Sequence, residues 1–210
     1  MSGKVLRLGV LISGTGRTLE NLIKLSRAGE LPAEVVVVLS SSPRARGLDF
    51  ARQAGIRWQV VSLKQLGEEQ FSGRISDILR EARVDLVCLA GFLKLWRIPP
   101  DFEGRVMNIH PALLPGIGGR GYYGHRVHEA VLQSGATESG CTVHFADNEY
   151  DHGPIIVQRR VTVLPDDTAD TLADRVFEQE LAAYPEAIRL YAAGRLRLEG
   201  DRVTVLPANR

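Results

Sequence analysis

An amide and an imidazole stand two residues apart in Val106–Pro115, VMNIHPALLP, as Asn108 and His110. Val106 to Ile109 is short, apolar and β-prone. Side chains alternate along a strand, so Asn108 and His110 leave the same face, one step apart. Pro111 cannot donate to a ladder and disfavours helix for His110, so the strand is expected to stop as His110 emerges. The amide and the imidazole then stand side by side at a strand's carboxyl end, where open α/β sheets bind ligands, and both can donate an N–H to such a ligand. Taken alone, a four-residue N-x-H-P pattern fits better a core strand whose last polar residues cap a loop. Downstream, Ala146–Pro154 (ADNEYDHGP) gathers turn-formers and acids, and on spacing alone any one of those acids reads as a turn residue.

A second candidate lies near the N-terminus. The apolar run Leu6–Ile12 leads into Gly14-Thr15-Gly16-Arg17-Thr18 and then a helical pattern at Leu19, Leu22, Ile23 and Leu25. Strand, glycine turn and helix start aim free backbone N–H groups and the helix dipole at whatever sits above the turn. A phosphate is the natural guest, with Arg17 adding charge; the alternative is an ordinary βα turn carrying a mobile arginine. A dinucleotide site would need a glycine at Leu19 and an acid at the end of the second strand, Glu34–Leu39, which instead runs into Ser40, Ser41 and Ser42. Arg44 and Arg46 keep an NADP 2′-phosphate open as a competitor.

The elements that must position these residues alternate. Helices are expected over Arg44–Ala54 and Glu68–Ala82, the latter with Phe71, Ile75, Ile78 and Leu79 on one face, and strands over Trp58–Val61 and Val84–Ala90. Such alternation implies a mostly parallel sheet with helices on both sides. Gly91–Trp96 is too apolar for an exposed connection; it is either a pocket wall for a flat, partly apolar ligand or plain packing. Five glycines between Pro115 and His125 make either a lid beside His110 or a loose surface connection. His125 and His128 open a helix, His125–Leu132, and without a third ligand they read as solvated histidines rather than a metal site. His144, in the strand Cys141–Phe145, is either a residue that supports the site from behind or, more simply, a satisfied buried histidine. Ile155–Val163 is expected as an antiparallel edge strand. Thr171–Ala183 is expected as a helix capped by Asp170 or Thr171, with Glu180 interrupting the line Leu172, Val176, Tyr184, Ile188, and with Pro185 breaking or kinking it just afterwards. Leu196–Leu206 looks like a hairpin around Gly200-Asp201.

At 210 residues the chain suits one domain with a sizeable core. A net charge of +1 gives no global pull toward nucleic acid or a membrane surface. The longest apolar runs fall far short of a membrane span, and the N-terminal apolar run reads as a first strand rather than a signal peptide. Cys88 and Cys141 sit in apolar stretches without metal-like spacing, which suggests buried thiols in a reducing cytosol.

Four segments, SGTGRTLENL at 13–22, AGFLK at 90–94, VMNIHPALLP at 106–115 and YDHGP at 150–154, stand in the order and near-spacing of one family. From about residue 5 to about 200 the chain resembles the phosphoribosylglycinamide formyltransferases, folate-dependent enzymes of purine synthesis. The resemblance implies a single α/β domain over 1–210. Its sheet would be open, mostly parallel and twisted (Rossmann-like), with an antiparallel edge strand and a C-terminal hairpin. It also implies a phosphate-binding half, about 1–100, and a folate and catalytic half, about 100–210. The implied reaction is formyl transfer from 10-formyltetrahydrofolate, as co-substrate, to the amine of glycinamide ribonucleotide, with no metal. Asn108, His110 and Asp151 would be catalytic. Gly16, Arg17 and Thr18 would hold the phosphate and Glu180 the ribose. Leu93, Lys94, Leu95 and Trp96 would wall the folate, with Asn108 and the loop residues Asp147, Asn148, Glu149, Tyr150 and Asp151. Departures from the family pattern are Lys94 in place of arginine, Glu68, Phe177, His152 and the extra glycines. The expectation is a cytoplasmic monomer or weak homodimer without nucleic-acid or membrane partners. Within the same chemistry the acceptor could instead be methionyl-tRNA, an amino sugar or water. A tRNA enzyme would bring a further C-terminal domain and a basic face, and a deformylating hydrolase an N-terminal regulatory domain. An NADP-binding oxidoreductase or a non-catalytic nucleotide-binding module is the reading from a different class.

Overall fold

The structure, a computed structural model, describes residues 5–208. Seven strands form one sheet in the order β3-β2-β1-β4-β5-β6-β7, and a separate two-stranded sheet follows. The strands are β1 (Leu6–Ile12), β2 (Ala33–Ser40), β3 (Arg57–Val60), β4 (Leu86–Leu89), β5 (Val106–His110), β6 (Glu138–Phe145) and β7 (Ile155–Thr162), with β8 (Leu196–Glu199) and β9 (Arg202–Val205) in the small hairpin. β1 pairs parallel with both β2 and β4, β2 parallel with β3, and β6 antiparallel with β7. This is the expected α/β class: a mostly parallel sheet with helices, an antiparallel edge strand and a terminal hairpin. Residue contacts cluster into two units, one ending at Met107 and one starting at Asn108, so β5 begins in the first and ends in the second.

In the first unit, β1 is buried along almost its whole length, as a strand covered on both faces must be. α1 (Arg17–Arg27) buries Leu19, Leu22 and Ile23. α2 (Gly47–Gln53) starts three residues later than expected, because the preceding serines hold a local loop: the Ser42 N–H donates to the Ser40 Oγ and the Arg44 N–H to the Ser42 Oγ. α3 (Leu63–Glu81) is interrupted at Gly67 (φ 75°), and past that point it buries the expected face of Phe71, Ile75, Ile78 and Leu79.

In the second unit, α4 spans His125–Gln133 and α5 spans Ala169–Ala192. Two expectations for α5 need correction. Its N-cap is Thr168, whose hydroxyl accepts from the Thr171 N–H in a reciprocal box, rather than Asp170 or Thr171. Pro185 does not end it. A proline inside a helix costs about 3 kcal/mol, but Ala183, Tyr184, Ala187 and Ile188 around it are fully buried, and that packing carries the helix on to Ala192.

Candidate functional site

β5 extends one residue further than expected. His110 is still in the strand and is only 3% exposed, so it does not emerge into a loop but is covered. Asn108 and His110 do leave one face, and both reach the same carboxylate. The Asn108 Nδ2 lies 3.2 Å and the His110 Nδ1 3.3 Å from Asp151 Oδ1. Asp151 sits in the loop between β6 and β7 with φ 50°, a left-handed conformation that costs a non-glycine residue of order 1 kcal/mol. Hydrogen bonds offset that cost: the Gly119 N–H donates to its other oxygen, Oδ2, at 2.9 Å. The structure therefore brings together Asn108, His110 and Asp151, three residues spread over forty-four positions of the chain.

Neighbouring groups fix the orientation of each member. His144 is buried, and its Nδ1 donates to the Phe145 carbonyl at 2.9 Å, which leaves Nε2 to accept from the Asn108 amide at 3.1 Å. Burial pushes the His144 pKa down, against the Phe145 hydrogen bond and the Asp151 charge, so the neutral tautomer persists. A carboxylate and an imidazole lone pair both accept only, so the Asn108 amide must turn its NH2 toward them. On the other side, His110 Nε2 donates to the Ile117 carbonyl at 2.7 Å. Both amide protons of Asn108 and both ring nitrogens of His110 are thus engaged by protein groups. Burial opposes the charge on Asp151, but the hydrogen bond and charge of His110, the Gly119 N–H and His144 outweigh it, and the carboxyl sits below its ordinary range.

The glycine loop, Gly116–Gly124, supplies the Ile117 and Gly119 contacts. A Cβ on Gly118 would lie 2.7 Å from Leu114 Cδ2 and 3.2 Å from Asp151 Cβ, so the loop lies close over the carboxylate. Farther along, His125 is exposed and held between Glu129 and Asp170, at 3.1 and 3.0 Å. His128 corrects the expectation of a solvated residue: it is buried on α4, its Nδ1 has no hydrogen-bond partner, and burial followed by the fields of His125 and His110 lowers its pKa to about 4. Among the described residues no group of three or more His, Cys, Asp or Glu side chains is arranged to hold a metal ion.

In the first unit, Gly16 caps α1 in a left-handed conformation (φ 77°) with no side-chain cap, so the first N–H groups of the helix are not taken by a capping side chain. Arg17 is exposed and Thr18 buried. The apolar segment after β4 divides. Trp96 is 3% exposed, donates its indole N–H to the Ser76 Oγ and packs edge-on against Phe102; Phe92 stacks on Phe71. Packing claims these rings, so Trp96 is unavailable as a ligand wall, whereas Leu93 and Lys94 are exposed and Leu95 half-buried.

Around Asp151 the second unit carries a mostly open loop. Asn148, Glu149 and Tyr150 are exposed; half-buried Asp147 accepts from the Glu149 N–H at 2.8 Å and pairs with His152 at 2.6 Å. Glu180 is half-buried on α5, near enough to Cys141 that its charge, after burial, helps push that thiol up to about 12. Sequence reasoning missed two groups, the Ile117 carbonyl and Gly119 N–H, which as backbone carry no residue signature; for His144 it favoured a satisfied core histidine over a supporting role, and the structure gives it both, buried and orienting Asn108. The signal for His144 is the alternation of β6, which puts it on the same face as Thr142.

An amide, an imidazole and a carboxylate interlocked at the end of an α/β sheet strand suit a group-transfer enzyme that handles charge at a carbonyl carbon. Residues 6–188 match the formyl transferase family, and the chain belongs to it. It is 36% identical over 198 residues to the phosphoribosylglycinamide formyltransferase of Haemophilus influenzae, covering 93% of this chain and 91% of that protein. It superposes on the crystal structure of glycinamide ribonucleotide transformylase 1 from Symbiobacterium toebii with a TM-score of 0.91 and 41% identity, over 98% of this chain and 96% of that one. Identity reaches 44% over 193 residues with the trifunctional purine biosynthetic protein adenosine-3 of Drosophila melanogaster, which covers 90% of this chain. This chain spans 14% to 20% of the length of such trifunctional relatives. No helix among the described residues is long and apolar enough to cross a membrane.

Proposed function

We propose that the chain transfers a formyl group from 10-formyltetrahydrofolate to the amine of N1-(5-phospho-D-ribosyl)glycinamide in purine (IMP) biosynthesis, working in the cytoplasm as a monomer or weak homodimer. The observation that carries the reading is the single Asp151 oxygen shared by Asn108 and His110, at 3.2 and 3.3 Å, in a chain whose relatives bear that activity in their names. The amine attacks the formyl carbon, a new C–N bond forms and an oxyanion develops. Asn108 gives that oxygen an amide N–H now spent on Asp151, and His110 a ring N–H now spent on Ile117. Each move exchanges one hydrogen bond for another, and one such donor is typically worth about 10²–10³ in rate. Asp151 is ionised well into mild acid, so it takes the proton of the ammonium formed by attack, directly or through water. The proton reaches the folate nitrogen by way of His110 or water as the old C–N bond breaks. Gly16, Arg17 and Thr18 seat the phosphate and Glu180 holds a ribose hydroxyl. Leu93, Lys94 and Leu95, with Asn108 and the loop residues Asp147 to Asp151, serve the folate.

The test is a spectrophotometric assay for deformylated folate, with and without the ribonucleotide. Release that depends on the ribonucleotide supports the transferase; equal release without it means that water is the acceptor. Asp151→Asn is expected to keep fold and ligand affinity and to lose about 10²–10⁴ in turnover. Undiminished turnover in that variant removes Asp151 from the chemistry.

A further inference from the structure

The loop between β2 and α2 is fastened to the glycine turn after β1 at four places. The Ser41 N–H donates to the Ile12 carbonyl at 3.1 Å, and the Gly47 N–H to the Gly14 carbonyl at 3.1 Å. The Ser13 and Ser41 hydroxyls share a hydrogen bond of 2.7 Å. Gly16 and Gly47 touch backbone to backbone: a Cβ on Gly47 would fall 2.8 Å from the Gly16 Cα, so neither position tolerates a side chain. The residue before Gly47 is Arg46, which therefore starts from a backbone lying against the turn. Arg44 precedes it by two positions, and both side chains are exposed. Neither makes a hydrogen bond or ion pair through its side chain among the described residues, while the nearby acid of α2, Asp49, is taken by Arg52 at 2.7 Å. Two arginines without a side-chain partner among the described residues thus extend from a loop whose backbone is fastened to a turn whose helix N–H groups favour an anion.

Charge balance explains why one arginine is too few. A phosphate monoester carries about −1.5 to −2 at neutral pH. Arg17 supplies one positive charge, and Glu20 in the first turn of α1 subtracts from the favourable field. We propose that the loop Ser41–Arg46 is a second cationic arm of the phosphate seat, with Arg46 as the ligand of the ribonucleotide's phosphate monoester and Arg44 reinforcing its field. This rests on the function proposed above and assigns its phosphate recognition to two loops rather than one turn. The arm binds a terminal phosphate and ignores the glycinamide end, so it acts on affinity and not on the chemical step.

Titration calorimetry on the full chain tests it, with glycinamide ribonucleotide, its dephosphorylated riboside, NADP and NAD as four ligands. Arg46→Ala is expected to weaken the ribonucleotide about tenfold, the scale of one hydrogen bond to a charged group, and to leave the riboside unchanged. Arg44→Ala weakens it less, and the double variant flattens the salt dependence of binding. In turnover the loss falls on KM with kcat kept. Wild-type affinity in the double variant, or equal loss for ribonucleotide and riboside, overturns the arm while leaving the transferase reading in place. Failure of the wild-type protein to bind the ribonucleotide, with NADP bound in preference to NAD, overturns both, since the same arginines would then be reading a 2′-phosphate.

Discussion

Replacing His128 by leucine tests how a buried imidazole ties the stability of this chain to pH. His128 is 4% exposed, its Nδ1 has no partner, and its pKa falls from 6.5 to about 4. Below pH 6.5 the unfolded chain takes up a proton that the folded chain refuses, so stability is fully present above 6.5 and drains away as pH falls toward 4. A difference of about 2.5 units corresponds to about 3 kcal/mol at full extent, and about 2 kcal/mol is already lost at pH 5. Leucine fills a similar volume and cannot titrate. At pH 7.5 it should be neutral or stabilising, because an orphaned buried polar atom costs about 1–3 kcal/mol. Urea unfolding in steps from pH 7.5 to 4.5 measures both effects. The difference between variant and parent cancels the other titrating groups and should widen by about 2 kcal/mol between pH 7 and pH 5. Parallel curves for the two proteins would mean that His128 has a partner in solution and keeps an ordinary proton affinity.

Two further substitutions address the loop and the turn. Gly118→Ala places a methyl group 2.7 Å from Leu114 Cδ2 and 3.2 Å from Asp151 Cβ, so the Leu114 side chain must turn aside and Asp151 must give slightly; destabilisation of about 1 kcal/mol in urea unfolding is expected, and unchanged stability would refute the close packing of this loop on those two side chains. Arg17→Ala should weaken the ribonucleotide at least about tenfold while leaving the folate alone; equal losses for the two ligands in a binding assay would argue against a phosphate seat at Gly16–Thr18.

Hydrophobic pattern made most of the scaffold readable. β1 runs over the residues expected of it, and β7 and the hairpin differ only at their ends, because buried strands and a Gly-Asp turn leave direct marks on composition. What pattern could not convey was competition between elements. The start of α2 depends on which acceptor takes the Gly47 N–H, and the persistence of α5 through Pro185 depends on burial supplied from outside the helix. At the site, alternation alone puts Asn108 and His110 on one face. Asp151, forty-one residues past His110, stands out from the other loop acids only through the family resemblance, since loop closure over that distance leaves no local periodicity. Trp96 shows the reverse problem: an apolar run reads the same whether its rings face a ligand or the core.

The loop that covers the trio also carries a chemical instruction. A carbonyl at Ile117 and an N–H at Gly119 meet an imidazole and a carboxylate at 2.7 and 2.9 Å. A small molecule that offers an acceptor and a donor in place of that carbonyl and N–H, a cyclic urea or lactam for instance, would compete with the loop for the same pair of residues. Fragment screening against this chain should therefore begin with peptide mimics as readily as with pteridines.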